Sequence, residues 1–389
     1  MFFLEYLLYD DTIFIMNFVI ILFKLLAFLG LFPLVYAFLL YPIILFFLAL
    51  FSNKKKLNSI SDEKIVVKKV SFLLPAFNEE NHIEDKLNNL LSLEDSSSNV
   101  EIIVGNDGSK DKTAVIIENW IKKHPKINIH FIDQKINSGK WVMLKKMLEV
   151  ASGDYLVFSD ISAILPKNFL QHLNAQMNDD SIAVYAPTYS FMGKTKTKLW
   201  ERLYWPLERF IRHHESQWFS TIGAHGACYA VKKAFMVKLE QLEVEGHAPI
   251  NDDFLIPTFS AALANKVIRY DQAMPVMEKD SPSSPVEYRR RLRIARGNFA
   301  MNRFMTNKLP CTKYPYYYFL YQSHKVIRSF IGPLSFFSFL LFSCLNWADL
   351  RYNFFGIIFL IPCLLMSPLR ASIQIFYLEN RGKKQHSWL

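Results

Sequence analysis

The sequence predicts an α/β domain built on a mostly parallel sheet and flanked by membrane-spanning segments. Two observations carry this. Residues 54–313 alternate charged and apolar positions as a water-soluble domain does, with short apolar runs followed by stretches of helical periodicity. The chain on either side is instead rich in unbroken Phe, Leu and Ile. A chain of 389 residues has room for one catalytic domain of ordinary size plus such segments.

The first membrane segment covers residues 12–51, which are apolar apart from Asn17 and Lys24. That exceeds the roughly 20 residues needed for one crossing. Glu5, Asp10 and Asp11 precede it and Lys54, Lys55 and Lys56 follow, which favours a single net crossing with the lysines inside. The acidic start and the length of the run argue against a removable signal peptide. Residues 315–378 are expected to form interfacial helices and a second membrane element. Ser329 to Leu345 and Phe354 to Met366 read as a hairpin with Lys325, Arg328 and Arg370 on the positive, cytoplasmic side. Both ends therefore place the domain at residues 65–310 on the cytoplasmic face of an inner or plasma membrane.

Within that domain, Val70 to Pro75 is a short apolar run, and Ile83, Leu87, Leu90 and Leu91 then recur at helical spacing. Val100 to Val104 leads to a helix from about Thr113 to Lys123. Ile127 to Ile132 leads to one from Lys140 to Val150, and Tyr155 to Phe158 is a fourth strand. Such a sheet binds its ligands at the carboxyl ends of its strands.

Polar residues collect at those ends. After the first strand stands Pro75–Glu80 (PAFNEE), and after the second Asn106–Asp111 (NDGSKD), where Gly108 permits a tight turn. Taken alone the second fragment is an ordinary turn and helix cap. Asn137–Lys140 (NSGK) opens the third helix, where backbone N–H groups and a lysine can meet a diphosphate or merely cap. Asp160 follows the fourth strand; one carboxylate there can hold Mg2+ or Mn2+ against diphosphate oxygens, or cap the next turn. Asp252 and Asp253 stand side by side before an apolar run. Like-charge repulsion between them suits a general base, while two acids at a helix N-terminus is the plainer reading. Tyr288–Arg296 is a dense basic helix that either grips a diphosphate or rests on anionic lipid.

The excess of 45 Lys+Arg over 35 Asp+Glu suits an anionic membrane or a phosphorylated substrate, and no nucleic-acid partner is expected. The four cysteines have no close pairing of a zinc or redox motif and read as reduced and structural.

The ordered set PAFNEE, NDGSKD, NSGK, FSDIS, GAHGACYA, INDDF and RRRLRIARG resembles the family 2 glycosyltransferases, inverting enzymes of the GT-A fold, a Rossmann-like nucleotide-diphospho-sugar transferase fold. The likeness spans about Ile65 to Arg303. It implies that Ala76, Asn78, Glu79 and Asp107 contact the nucleoside, with Lys140, Arg290 and Arg293 near the diphosphate. It further implies that Asp160 holds the metal and that Asp253, beside Asp252, is the base. Gly223 to Ala227, including His225, would line the acceptor side.

The resemblance implies a nucleotide-sugar donor, with uridine the expected base, and a lipid-linked or saccharide acceptor in cell-envelope polysaccharide or glycolipid synthesis. Two departures stand out. Ser162 replaces a second carboxylate of the family's metal motif, so metal binding would rest more on Asp160 and the donor phosphates. The Gln and Trp of the processive synthases' QxxRW motif are missing at Arg290–Ile294, which argues against processive polymerisation. A catalytically silent scaffold of the same fold is the other alternative, hinted at by Ser162 alone. The amphipathic stretch Trp200 to Trp218 either lies at a membrane interface or packs into the core.

Overall fold

The computed structural model describes residues 32–52, 68–94, 99–192, 199–243, 251–279 and 304–331, together with a few single residues between and beyond them. Three strand–helix units and a fourth strand come first, as the apolar runs predict. They are β1 (Val70–Ala76), α2 (Ile83–Leu91), β2 (Val100–Asp107), α3 (Thr113–Lys123), β3 (Ile129–Gln134), α4 (Lys140–Val150) and β4 (Tyr155–Ser159), with α1 (Phe32–Leu50) ahead of them. There follow β5 (Ala163–Ile164), α5 (Phe169–Met177), β6 (Ile182–Met192), α6 (Leu199–Trp218), β7 (Cys228–Lys232), α7 (Asp252–Leu263), β8 (Val267–Lys279) and α8 (Pro315–Leu320). The last of these runs on as a π-helix, Tyr321–Ile331.

The strands form one sheet in the order β3-β2-β1-β4-β7-β6-β8-β5. Strands β3, β2, β1 and β4 are parallel, as expected. Beyond them β6 and β8 also pair parallel and run with β4, so the sheet is mostly parallel as expected, the exceptions being β7, antiparallel to both β4 and β6, and β5, antiparallel to β8. The chain enters β7 through a tight turn in which His225 bridges to Cys228.

Alternation along β1 explains why its sequence is continuously apolar. Phe72 and Leu74 join one core with Ile83, Leu87 and Leu90 of α2 and Ile117 and Trp120 of α3. Leu73 faces the other core, with Met143, Leu144 and Met147 of α4 and Phe254, Leu255 and Phe259 of α7. A strand covered on both faces has no solvent side on which polar residues would stand. Each fully buried Leu or Ile of α2 stabilises the fold by about 1.5–3 kcal/mol.

Among the described residues α1 is the one helix long and apolar enough to cross a membrane. It is sided: Tyr41 and Leu45 are buried against Ile211 of α6, whereas Phe47, Leu50 and Phe51 are exposed. Helix α6 therefore lays one face on α1, with Ile211, Glu208, Glu215 and Ser216 buried. Of the expected membrane segments, residues 12–31 lie almost wholly outside the described residues, as does the hairpin of Ser329 to Met366 apart from its first turn.

Candidate functional site

Strand order reverses between β1 and β4, which opens a crevice at their carboxyl ends. Ala76 ends β1 and is buried; Asn78 follows with a left-handed φ of 56°. The Asn78 side chain accepts from Lys110 N–H (2.9 Å), and its own N–H donates to Ser109 Oγ (2.9 Å), so the PAFNEE and NDGSKD loops are laced together. Glu79 N–H donates to Thr113 Oγ1 at 2.8 Å. The Glu79 carboxyl is pushed up to about 7, first by burial and then by the charges of Asp160, Asp111 and Glu278.

Asp107, at the end of β2, turns inward. Its Oδ1 accepts from Ser138 N–H and its Oδ2 from Gly139 N–H, both at 2.8 Å. Two of the N–H groups that the sequence offers to a diphosphate are thus already taken. The Asp107 carboxylate instead clamps the NSGK loop, and Lys140 is held at the first turn of α4. Gly108 sits against this clamp with φ +69°, and an added Cβ would fall 2.6 Å from Asn137 N.

Lys140 is the hub. Its ammonium lies 3.2 Å from Asp160 Oδ1 and 3.1 Å from Asp252 Oδ2. Burial alone would lower its pKa, but Asp160, Asp252 and Asp253 more than reverse this and hold it charged. Asp252 and Asp253 form the first turn of α7, so they both end a helix favourably and face the site. Burial, more than the neighbouring Asp252 charge, raises Asp253 to about 6, with Lys140 pulling it down and Asp160 adding to the rise. The expected like-charge repulsion is therefore present but comes second to desolvation.

Gly226 separates the two acids. A Cβ there would stand 3.3 Å from Asp253 Oδ2 and 3.5 Å from Asp160 Oδ2. Absence of a side chain at this position keeps open the space that both carboxylates border.

Beyond Asp253 lies a cavity of about 180 Å3. Tyr189, Tyr204, Trp205 and His225 line it, together with Arg209, Arg212 and Lys325. His225 stacks on Tyr189 with 3.7 Å between ring centroids, and Ala227 N–H donates to its Nδ1 at 3.1 Å. That bond leaves the proton of the neutral ring on Nε2. Expectation put His225 on the acceptor side, and it lies at this cavity.

Sequence reading missed several groups here. Glu278, near the end of β8, accepts from Ser162 Oγ at 2.8 Å and from Tyr189 OH at 2.6 Å. The serine in the metal motif therefore orients a carboxylate from 116 residues away. Lys86 is fully buried, and its ammonium donates to Ser159 Oγ (2.8 Å) and Ala163 O (2.6 Å), gripping the chain on both sides of Asp160. Helical spacing did contain this signal, since Lys86 stands three residues after Ile83 on the buried stripe of α2. Arg290 and Arg293 lie outside the described residues.

Residues 71–238 match the model described as Glycosyl transferase family 2. Over this region the chain is similar to the family 2 glycosyltransferases. A poly-β-1,6-N-acetyl-D-glucosamine synthase of Staphylococcus epidermidis is 36% identical over 106 residues, which are 27% of this chain and 24% of that protein. A dolichyl-phosphate β-glucosyltransferase of Dictyostelium discoideum is 32% identical over 97 residues, 23% of this chain and 30% of that protein. The chain thus spans about a quarter to a third of the length of these relatives. Among solved structures, a mannosyltransferase of Pyrobaculum calidifontis in complex with GDP-Man and Mn2+ superposes with a TM-score of 0.63 at 16% identity. It covers 93% of this chain and all of its own, and shows the shared GT-A fold.

A divalent metal fits the glycosyltransferase domain. Among the described residues no three His, Cys, Asp or Glu side chains converge to hold one by themselves. The donor set is instead one partly exposed carboxylate, Asp160, bordering the space beside Gly226. Mg2+ commonly takes one or two carboxylates and fills its remaining positions with phosphate oxygens and water.

Proposed function

We propose that this protein transfers a sugar from a nucleoside-diphosphate sugar to an acceptor hydroxyl with inversion at the anomeric carbon. The crevice at β1, β2 and β4, with Ala76, Asn78 and Glu79 at its rim, takes the nucleoside. Asp107 acts by shaping the loop that presents Lys140, and Lys140, Arg290 and Arg293 take the diphosphate. Asp160 is the residue that would hold Mg2+ or Mn2+, which when bound neutralises charge on the phosphates.

One observation carries the reading: Asp253 lies where the Lys140–Asp160 cluster meets the aromatic cavity, with its carboxyl raised to about 6. A base near that value is ionised at neutral pH and still holds a proton well. Asp253 accepts the hydroxyl proton as the acceptor oxygen attacks the anomeric carbon, and the bond from that carbon to the diphosphate breaks on the opposite side. Lys140, released from one of its carboxylates, stabilises the leaving charge. His225 and the stacked Tyr189 orient the acceptor.

Helix α1 supports an anchor in the membrane, with the domain on the cytoplasmic face. Resemblance to a polysaccharide synthase and to a dolichyl-phosphate glucosyltransferase supports a role in building cell-envelope polysaccharide or glycolipid. The deciding experiment incubates the full chain in detergent with Mn2+ and a panel of nucleotide sugars, following released nucleoside diphosphate and donor-induced thermal stabilisation. Release with at least one donor is expected; no release and no stabilisation across the panel would overturn the reading.

A further inference from the structure

The cavity beside Asp253 holds more positive charge than its own acids balance. Glu208 and Asp253 are the lining carboxylates, against Arg209, Arg212 and Lys325. Glu208 is already engaged: it accepts from Arg212 Nε (2.9 Å) and Arg328 Nη1 (2.8 Å), and His324 Nε2 lies 3.1 Å away. Arg212 is committed to that pair. Arg209 and Lys325 have no ion pair among the described residues, although both face the cavity.

Lys325 is half-buried on the π-helical turn behind Asp253, over the ring of Phe254 at 5.6 Å. Burial pushes its ammonium down to about 8; repulsion from Arg212 and Arg328 adds to this, and Glu208 and Asp253 oppose it. A half-buried ammonium that has an aromatic ring beside it but no ion pair is only partly compensated, and an arriving anion would complete the compensation. Aromatic rings and cations lining one cavity suit a group that carries a ring or chain and a concentrated negative charge.

We propose that this cavity is the acceptor subsite and that the acceptor it takes bears a phosphate ester, gripped by Lys325 and Arg209 while its hydroxyl meets Asp253. This rests on the glycosyltransferase reading. The phosphate can belong to a lipid carrier or to a soluble polyol or sugar phosphate, since both present the same dianionic or monoanionic oxygens to the two cations. It is a handle and takes no part in bond making. The hydroxyl oxygen forms the new glycosidic bond, its proton passes to Asp253, and the nucleoside diphosphate leaves.

The test uses the full chain in detergent with a donor that it turns over. Acceptors are farnesyl-linked sugar phosphate, glycerol 3-phosphate, and the phosphate-free counterpart of each. Phosphate-bearing acceptors are expected to have kcat/KM at least tenfold above their counterparts. Preference for the farnesyl compound or for glycerol 3-phosphate would name the source of the phosphate. Lys325→Met is expected to raise the acceptor KM at least tenfold with a smaller change in kcat, and Lys325→Arg to restore most of it. A persistent donor-induced melting shift in Lys325→Met shows that the variant is folded.

Equal kcat/KM with and without phosphate, or an acceptor KM indifferent to Lys325→Met, would overturn the proposal and leave the transferase reading standing. Absence of nucleotide release with every donor would instead remove the reading on which it rests.

Discussion

The ammonium of Lys140 lies 3.2 Å from the carboxylate of Asp160, on the border of the space kept open by Gly226. A lysine thus sits against the carboxylate that would hold a metal, and the same ammonium reaches Asp252. Lys140→Met should leave three acids facing one another without a cation. Donor KM is expected to rise at least tenfold. The proton affinity of Asp253 should also climb, since Lys140, ahead of Lys325, lowers it, so the acid limb of the pH–rate profile moves above its wild-type position. Steady-state kinetics from pH 5 to 8 with both proteins would check this.

Asp253 sets that limb in the wild type. Its carboxyl must be ionised to accept a proton, so kcat/KM should rise with pH through about 6 and level off above it. Stability moves the other way. A buried acid with a raised pKa binds more protons folded than unfolded between its ordinary value and about 6, so this group's contribution falls as pH rises through that window. Asp253→Asn should lower transfer by about 10²–10⁴-fold. Donor-induced thermal stabilisation should remain close to wild type in the same variant.

Gly226→Ala places a methyl group 3.3 Å from Asp253 Oδ2 and 3.5 Å from Asp160 Oδ2. Both contacts are with carboxylate ends that can shift by a few tenths of an ångström, so the fold should tolerate the change. Catalysis should not, because the shifted groups are those that meet substrate. The expected outcome is about a tenfold or greater loss of kcat with an unchanged melting temperature.

Glu208→Gln tests the buried network. It would leave Arg212, Arg328 and His324 without their shared anion inside the protein, and removing one partner of a buried pair costs about 3–5 kcal/mol. A clear fall in melting temperature is expected, with Arg209→Gln, half-buried on the same helix and in no ion pair among the described residues, changing it less.

The first half of the sheet was legible because each element announced itself locally. Val70–Ala76 and Val100–Asp107 are apolar runs closed by turn residues, and Ile83, Leu87 and Leu90 repeat at helical spacing. Asp160 and Asp253 were legible as acids at element ends. What closes the cavity beside Asp253 was not, because it is assembled by partners far apart: Glu208 and His324 are 116 residues apart, and Glu208 and Arg328 are 120 apart. No local pattern announces such pairs. Lys325 read only as a cation flanking an apolar run, and the fold turned it towards Asp253.

Tyr41 of α1 donates to Glu215 at 2.6 Å, His324 bridges Glu215 and Glu208, and Glu208 lines the cavity. A relay of hydrogen-bonded side chains, with no slack linker, therefore joins the apolar helix to the cavity proposed to receive the acceptor. Whatever layer α1 rests in, the cavity stands at a set altitude above it. An acceptor must then satisfy a requirement of reach as well as of chemistry, and one tethered too short would never present its hydroxyl.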